Sequence, residues 1–173
     1  KVLETPVTGG NVSLYNESKD DSGLVSPIQP TPVIGMVGVI DDAEKSISSG
    51  WKNEKDEIWI IGSTSSESTL SATSYLEYFH GFLKGRPPKI NLNDEKDIQK
   101  FVRLAINNGF ISSCHDISDG GLVISIAECC VISSKGAEIS LNGCQRLDNL
   151  LFSEGGSRIV FSVDNNKKEL WEK

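Results

Sequence analysis

Eight consecutive residues, Val33-Ile34-Gly35-Met36-Val37-Gly38-Val39-Ile40, carry no polar side chain. Side chains on a strand alternate between faces, so a run that is apolar at both parities predicts a strand over 33–40 buried on both sides. The two glycines within it mark close backbone approach. Such a strand must be covered from above and below. The only other β-like run ahead of residue 41 spans 11–16, and the loop between them, 17–32, is rich in Ser, Asp and Pro. Two strands cannot bury both faces unaided, so this region calls for strands upstream of residue 1 or for a partner chain.

The first of the two runs has its own chemistry. In Gly9-Gly10-Asn11-Val12-Ser13-Leu14-Tyr15-Asn16, period-two alternation puts Asn11, Ser13 and Tyr15 on one face and Val12 and Leu14 on the other. The glycine pair permits positive φ or close approach to a ligand. Exposed amides suit an anion, the Asn11 carboxamide oxygen suits a hard cation, and the Ser13 hydroxyl suits a substrate oxygen. A hairpin turn at Gly-Gly-Asn opening an edge strand explains the same residues without a ligand.

From residue 57 strands and helices alternate. Ile58, Trp59, Ile60 and Ile61 mark a strand over 57–62. Tyr75, Leu76, Phe79, Phe82 and Leu83 recur at helical spacing and predict a helix over 71–83 that ends near Gly85 and Pro87. Asn93 offers an N-cap to a helix over 94–107, with acidic residues in its first turn and Gly109 beyond its end. A strand over 110–115, a helix over 122–132 and strands over 137–141 and 157–163 complete the series. The order predicts an α+β fold, a mixed sheet with helices on one face. The chain divides into a partial ligand-binding region of two strands at 1–42, a linker at 43–56, and an α+β domain at 57–173 that is cut short at its end.

The turn in His115-Asp116-Ile117-Ser118-Asp119-Gly120-Gly121-Leu122 has two readings. A strand entering a glycine pair and then a helix exposes N–H groups that attract phosphate. Asp119 or Ser118 can instead cap the helix. His115 and Asp116 are adjacent, so on a strand they point to opposite faces and do not form a dyad by sequence alone. A lone histidine at a strand end reads as structural, and Asp116 is the better candidate for a cation or nucleotide contact.

Seventeen basic against twenty-four acidic residues give a net charge of −7, without a Lys/Arg cluster of the kind nucleic-acid binding relies on. Cys114, Cys129, Cys130 and Cys144 lack Cys-x-x-Cys spacing, and His80 and His115 lie far apart, which disfavours a structural zinc. Cys129 and Cys130 sit in an apolar helical run and read as buried free thiols. No signal-peptide pattern opens the chain and no run of about 18 apolar residues occurs, so the reading is cytoplasmic, without a membrane partner. The start at Lys1 without methionine suits a trimmed piece.

Three motifs in order, Gly10-Asn11-Val12-Ser13-Leu14-Tyr15-Asn16-Glu17, Pro30-Thr31-Pro32-Val33-Ile34-Gly35-Met36-Val37-Gly38 and His115-Asp116-Ile117-Ser118-Asp119-Gly120-Gly121-Leu122, resemble the second half of the synthetase subunits of phosphoribosylformylglycinamidine synthase. The resemblance runs from Thr5 to about Val163, and includes the stretch from His80-Gly81 to Pro87-Pro88. It implies an aminoimidazole-ribonucleotide-synthetase-like C-terminal domain, preceded by part of an N-terminal-type synthetase domain. It also implies an ATP-dependent ligase of purine biosynthesis that converts formylglycinamide ribonucleotide and glutamine-derived ammonia to formylglycinamidine ribonucleotide, ADP and phosphate, with Mg²⁺ as cofactor. Carried over residue by residue, it puts Gly10 at ATP, Asn11 at Mg²⁺ and Ser13 at substrate. No catalytic residue falls in this stretch, because the family's catalytic histidine belongs to the first half. The piece is therefore expected to be inactive alone, and to work with that missing half, a glutaminase subunit and a small bridging subunit.

The chain departs from the family at Ser68-Thr69-Leu70-Ser71-Ala72-Thr73-Ser74, where relatives carry a Glu-Leu-Gly-Gly-Ser-like run. Two lost glycines put any phosphate contact of that loop in doubt. Two competing readings remain. One is a related ligase or kinase, such as aminoimidazole ribonucleotide synthetase, selenophosphate synthetase or thiamine-monophosphate kinase. The other is a scaffold half without ligand contacts of its own.

Overall fold

The structure, a computed structural model, describes residues 2–62, 70–141 and 146–167. It divides into two units, Leu3–Asp41 and Asp42–Lys173.

In the first unit the strands are not where the apolar runs predict them. Residues 11–16 and 33–40 form no strand, and strands β1 (Glu17–Lys19) and β2 (Val25–Pro27) pair antiparallel inside the stretch read as loop. Turn chemistry explains the exchange. Asp20 Oδ1 accepts from the Ser22 hydroxyl (2.6 Å), Ser22 N (3.0 Å) and Leu24 N (2.9 Å), and Gly23 takes φ +87°. These bonds, the Ser22 hydroxyl foremost, hold the Asp20 carboxyl below its usual range. The hairpin thus closes on local bonds alone. Residues 33–40, which need a second sheet layer to gain anything, stay open, with Val33 92% and Val37 97% exposed.

The second unit is built on a three-stranded sheet in the order β3-β5-β4, from β3 (Glu57–Gly62), β4 (Ser113–Asp116) and β5 (Arg158–Val163). Both pairings are antiparallel, with Trp59 opposite Phe161 and Cys114 opposite Phe161 across the central strand. Four helices lie among the described residues, α1 (Ser74–His80), α2 (Leu92–Asn107), α3 (Gly121–Ser133) and α4 (Leu147–Phe152). The α+β class holds, but the helices cover both faces of the sheet rather than one. Trp59, Ile61, Phe161 and Val163 pack on Ile98, Val102 and Ala105 of α2. Ile58, Ile60 and Val160 point the other way, to Leu122, Ile126 and Cys129 of α3 and to Trp51. Every sheet position of β3 and β5 from Ile58 to Ile61 and from Ile159 to Phe161 is apolar, which is the pattern of a doubly covered sheet.

Local signals set the element ends. Thr73 caps α1, its hydroxyl accepting from Leu76 N, and Gly81 closes the helix at φ +70°, so α1 is shorter than the expected 71–83. Asn91 rather than Asn93 caps α2, its side chain accepting from Asn93 N at 3.0 Å. The strand expected over 137–141 does not form, and α4, with four apolar residues in six positions, is an element that helical periodicity could not register. Residues 43–56 carry Trp51 into the core, and Ser48 O accepts from Cys114 N of β4 at 3.2 Å.

Candidate functional site

Gly10, Asn11 and Ser13 lie in an exposed stretch of the first unit without regular secondary structure. Neither Gly9 nor Gly10 has a positive φ, and a Cβ on either would meet nothing within 4 Å, so neither glycine serves close approach within this structure. The Ser13 hydroxyl donates to Tyr15 O (3.3 Å), and the Asn16 side-chain amide donates to Ser13 O (3.0 Å). These bonds are local.

Asp116 and Asp119 belong to the second unit, on the β4–α3 connection. The backbone turns there on two left-handed glycines, Gly120 at φ +78° and Gly121 at φ +72°. A Cβ on Gly121 would lie 2.7 Å from the Phe152 carbonyl carbon, so both φ and space require glycine. Neither Asp119 nor Ser118 caps α3: Gly120 is the N-cap, without a side-chain bond. The expected cap is corrected for a geometric reason. With Gly120 at the cap, Ser118 and Asp119 fall before it and project to solvent, and Ser118 is held through its carbonyl, which accepts from Gly121 N at 3.1 Å.

The amide expected to attract phosphate is occupied from inside the chain. Glu154 Oε1 accepts from Gly120 N (2.8 Å) and from Ser74 N (2.8 Å), so one carboxylate ties the starts of α3 and α1 together. Negative charge at two helix N-termini is favoured by their unpaired N–H groups and dipoles. Sequence reasoning missed Glu154. The signal was an accounting one, since the glycine cap left α3 in need of an acceptor from elsewhere.

His115 and Asp116 do touch. His115 Nδ1 stands 2.6 Å from Asp116 O and 3.5 Å from Asp116 Oδ1, while Nε2 stands 3.3 Å from Glu128 Oε2 on α3. Its ring is therefore engaged on both sides by the strand–helix joint it sits in, and Asp116 is left exposed. The Ser125 hydroxyl donates to Asp116 O (3.1 Å), which fixes the joint further. Nearby, Arg158 is 6% exposed and its Nη2 donates to Ser153 O at 2.6 Å, a cation at the carboxyl end of α4. Its Nε has no acceptor among the described residues, and burial lowers the pKa of the guanidinium.

Three of the thiols, Cys114, Cys129 and Cys130, are free, and Cys144 lies outside the described residues. Burial, helped by the Asp116 charge, pushes Cys114 up to about 11, and burial, helped by Cys130 and Glu128, does the same to Cys129. Cys130, half-buried, accepts from the Trp51 indole N–H at 3.3 Å. Among the described residues no group of three His, Cys, Asp or Glu side chains is placed to hold a metal. A hard divalent cation takes about six oxygens, and at Asn11 it would find one side-chain oxygen. The described residues do not by themselves fit a Mg²⁺ site. No helix among them is long and apolar enough to cross a membrane.

The departure at residues 68–74 is visible from Leu70 onward, positions 68 and 69 lying outside the described residues. Ala72 holds φ +56°, a left-handed conformation that costs a residue with a Cβ roughly 1 kcal/mol or more.

Residues 53–172 match the family described as AIR synthase related protein, C-terminal domain. The chain is 64% identical over 172 residues to the phosphoribosylformylglycinamidine synthase subunit PurL of Prochlorococcus marinus strain MIT 9312, covering 99% of this chain and 22% of that protein. The corresponding subunit of strain CCMP1986 is 65% identical over 168 residues, covering 96% of this chain and 21% of that one. The chain thus spans about a fifth of the length of these relatives. Among solved structures, Thermotoga maritima PurL complexed with FGAR superposes with a TM-score of 0.54 at 13% identity, over 74% of this chain and 23% of that one, a likeness of fold.

Proposed function

Because the chain belongs to the AIR synthase-related C-terminal-domain family, we propose that it is part of an ATP-dependent ligase that converts formylglycinamide ribonucleotide and ammonia to formylglycinamidine ribonucleotide, with release of ADP and phosphate. The observation that carries this is the 64% identity to a phosphoribosylformylglycinamidine synthase subunit over 99% of the chain. An amide oxygen is a poor leaving group, and transfer of the ATP γ-phosphoryl group to it makes it one that ammonia can displace. Charge that moves in such a transfer is stabilised by positioned N–H groups and cations.

In the whole protein we assign Gly10 to ATP, Asn11 to Mg²⁺ and Ser13 to substrate, with the remaining ligands supplied by residues outside this chain. The exposure of all three, and the short reach of the Ser13 hydroxyl bond to Tyr15 O, suits groups that meet a ligand or a second surface. Asp116 and Asp119 are exposed at the β4–α3 turn and are assigned as nucleotide or cation contacts. The glutaminase and bridging subunits complete the assembly, which is cytoplasmic. Among the described residues no group of carboxylates is placed to hold a metal, and the chain alone is assigned no activity.

The test is ADP release from Mg-ATP, formylglycinamide ribonucleotide and ammonium. The full-length protein turns over, its Asn11→Leu variant loses Mg-nucleotide affinity and rate, and the 173-residue chain releases none. Turnover by the chain at a rate near that of the full-length protein would refute the division of labour. Unchanged Mg²⁺ dependence in the variant would remove Asn11 from the site.

A further inference from the structure

Two helix starts in the second unit leave an amide that their own residues do not satisfy. The amide of an N-cap residue is commonly met by a Glu or Gln at the third helical position, which in α3 is Val123. Gly120 N therefore needs an acceptor from elsewhere. In α1 the Thr73 hydroxyl is committed to Leu76 N, and the first helical amide, Ser74 N, is left over. Glu154 Oε1 meets both, at 2.8 Å each, with its negative charge at two helix N-termini.

The carboxylate is delivered by a segment that is itself pinned on both sides. Upstream, Ser153 N donates to Asn149 O of α4 (3.1 Å), and Ser153 O accepts from Arg158 Nη2 of β5 (2.6 Å). Downstream, the Ser157 hydroxyl donates to Glu95 Oε2 of α2 (2.7 Å), and a Cβ on Gly62 at the end of β3 would lie 2.0 Å from Ser157 O. The turn that receives it is held less firmly. Ile117 N donates to Arg158 O (3.0 Å) and Gly121 N to Ser118 O (3.1 Å), the second bond being internal to the turn. Of residues 118–120, only Gly120 is hydrogen-bonded to another element among the described residues, and that bond goes to Glu154.

We propose that Glu154 is a positioning residue for the nucleotide: it fixes residues 118–120, with Asp119 turned to solvent, and locks the start of α1 to the same oxygen. The proposal rests on the reading above that the β4–α3 turn contacts nucleotide. Glu154 itself faces inward to the two amides and acts through the turn.

The test uses the full-length protein, with Mg-ADP as the probe. Glu154→Ala should raise amide exchange about tenfold or more in peptides over 117–122 and 70–77 together, and leave those over 57–62 and 158–163 unchanged. It should bind Mg-ADP about tenfold more weakly in equilibrium dialysis, while its affinity for formylglycinamide ribonucleotide stays as it was. A general loss of folding would lower both affinities. Glu154→Gln keeps an acceptor oxygen and should return exchange and Mg-ADP affinity to within about threefold of the unaltered protein. Glu154→Asp keeps the charge but falls one methylene short of the amides, so it should behave as Glu154→Ala does and serves if that variant fails to fold. Asp116→Asn/Asp119→Asn separates this proposal from the reading beneath it. If the aspartate variant loses Mg-ADP affinity and Glu154→Ala and Glu154→Asp do not, the proposal falls and the reading stands. If the Glu154 variants lose it and the aspartate variant does not, Glu154 positions the turn and the aspartates are not the contacts. Tighter Mg-ADP binding by Glu154→Ala would also overturn the proposal, because the carboxylate would then be standing where a phosphate goes.

Discussion

Residues 33–40 and 57–62 are comparable in apolar content and in β-branched side chains, yet only the second becomes a strand. Ile58 to Ile61 find β5 alongside, α2 on one face and α3 on the other. Val33 to Ile40 find none of these, and Val33, Ile34, Val37 and Val39 are each at least 85% exposed. The difference lies in what surrounds each run. Strand propensity describes a fit to a pleated, half-buried surface, and without that surface it has little to act on. The second unit supplies its own surface, and the first displays a run whose complement must come from elsewhere.

The comparison is sharpest where one side chain carries most of a face. Phe161 is fully buried at the centre of β5 between Trp59 and Cys114, on the α2 side. Phe161→Ala should cost about 3–5 kcal/mol, read as a lower unfolding midpoint in denaturant with β3, β4 and α2 melting together. Loss of less than about 1 kcal/mol would mean that the sheet is not the core of this unit.

A smaller effect follows from the buried thiols. Cys114 and Cys129 ionise at about 11 in the folded chain, whereas an unfolded thiol ionises near its ordinary value of about 8.5. Between those values the unfolded state gives up protons that the folded state keeps, so unfolding gains as pH rises. The contribution is complete below about pH 8.5 and is lost as pH approaches 11. Denaturation midpoints measured across that window should fall more steeply for the unaltered chain than for Cys114→Ser/Cys129→Ala. Parallel curves would show that these thiols are solvated. The first unit contains no cysteine and should be indifferent to this titration.

At the other extreme, Val37→Asp should shift the midpoint by no more than about 0.5 kcal/mol, since a 97% exposed side chain has no packing to lose. A penalty of several kcal/mol would show that residues 33–40 are packed in the isolated chain.

How much of this was legible in the sequence depended on the kind of signal. Elements with period and caps in the same window, β3, α2, α3 and β5, could be read within a few residues, because burial in this unit follows the local apolar pattern. The hairpin at Glu17–Lys19 and Val25–Pro27 was hidden because its stability comes from Asp20 bonds in a polar turn. Helix α4 was too short to show a period. At the candidate site the glycine pair Gly120-Gly121 was legible as a strand-to-helix turn, while Glu154, thirty-four positions from its Gly120 partner, could be found only by asking where the amides of two helix starts find an acceptor. Gly10, Asn11 and Ser13 could be singled out from residue type and family resemblance, but a site shared with other parts of a protein does not assemble within one of them.

Amide hydrogen exchange resolved along the chain tests the contrast between the two units most directly. The account predicts that amides of Trp59 to Ile61 and Ile159 to Phe161 exchange only through global unfolding, while those of Ile34 to Ile40 exchange at nearly the rate of an unstructured peptide in a monomeric sample. Equal protection in both runs, with the sample verified as monomeric, would contradict it and would show that the first unit completes its own sheet.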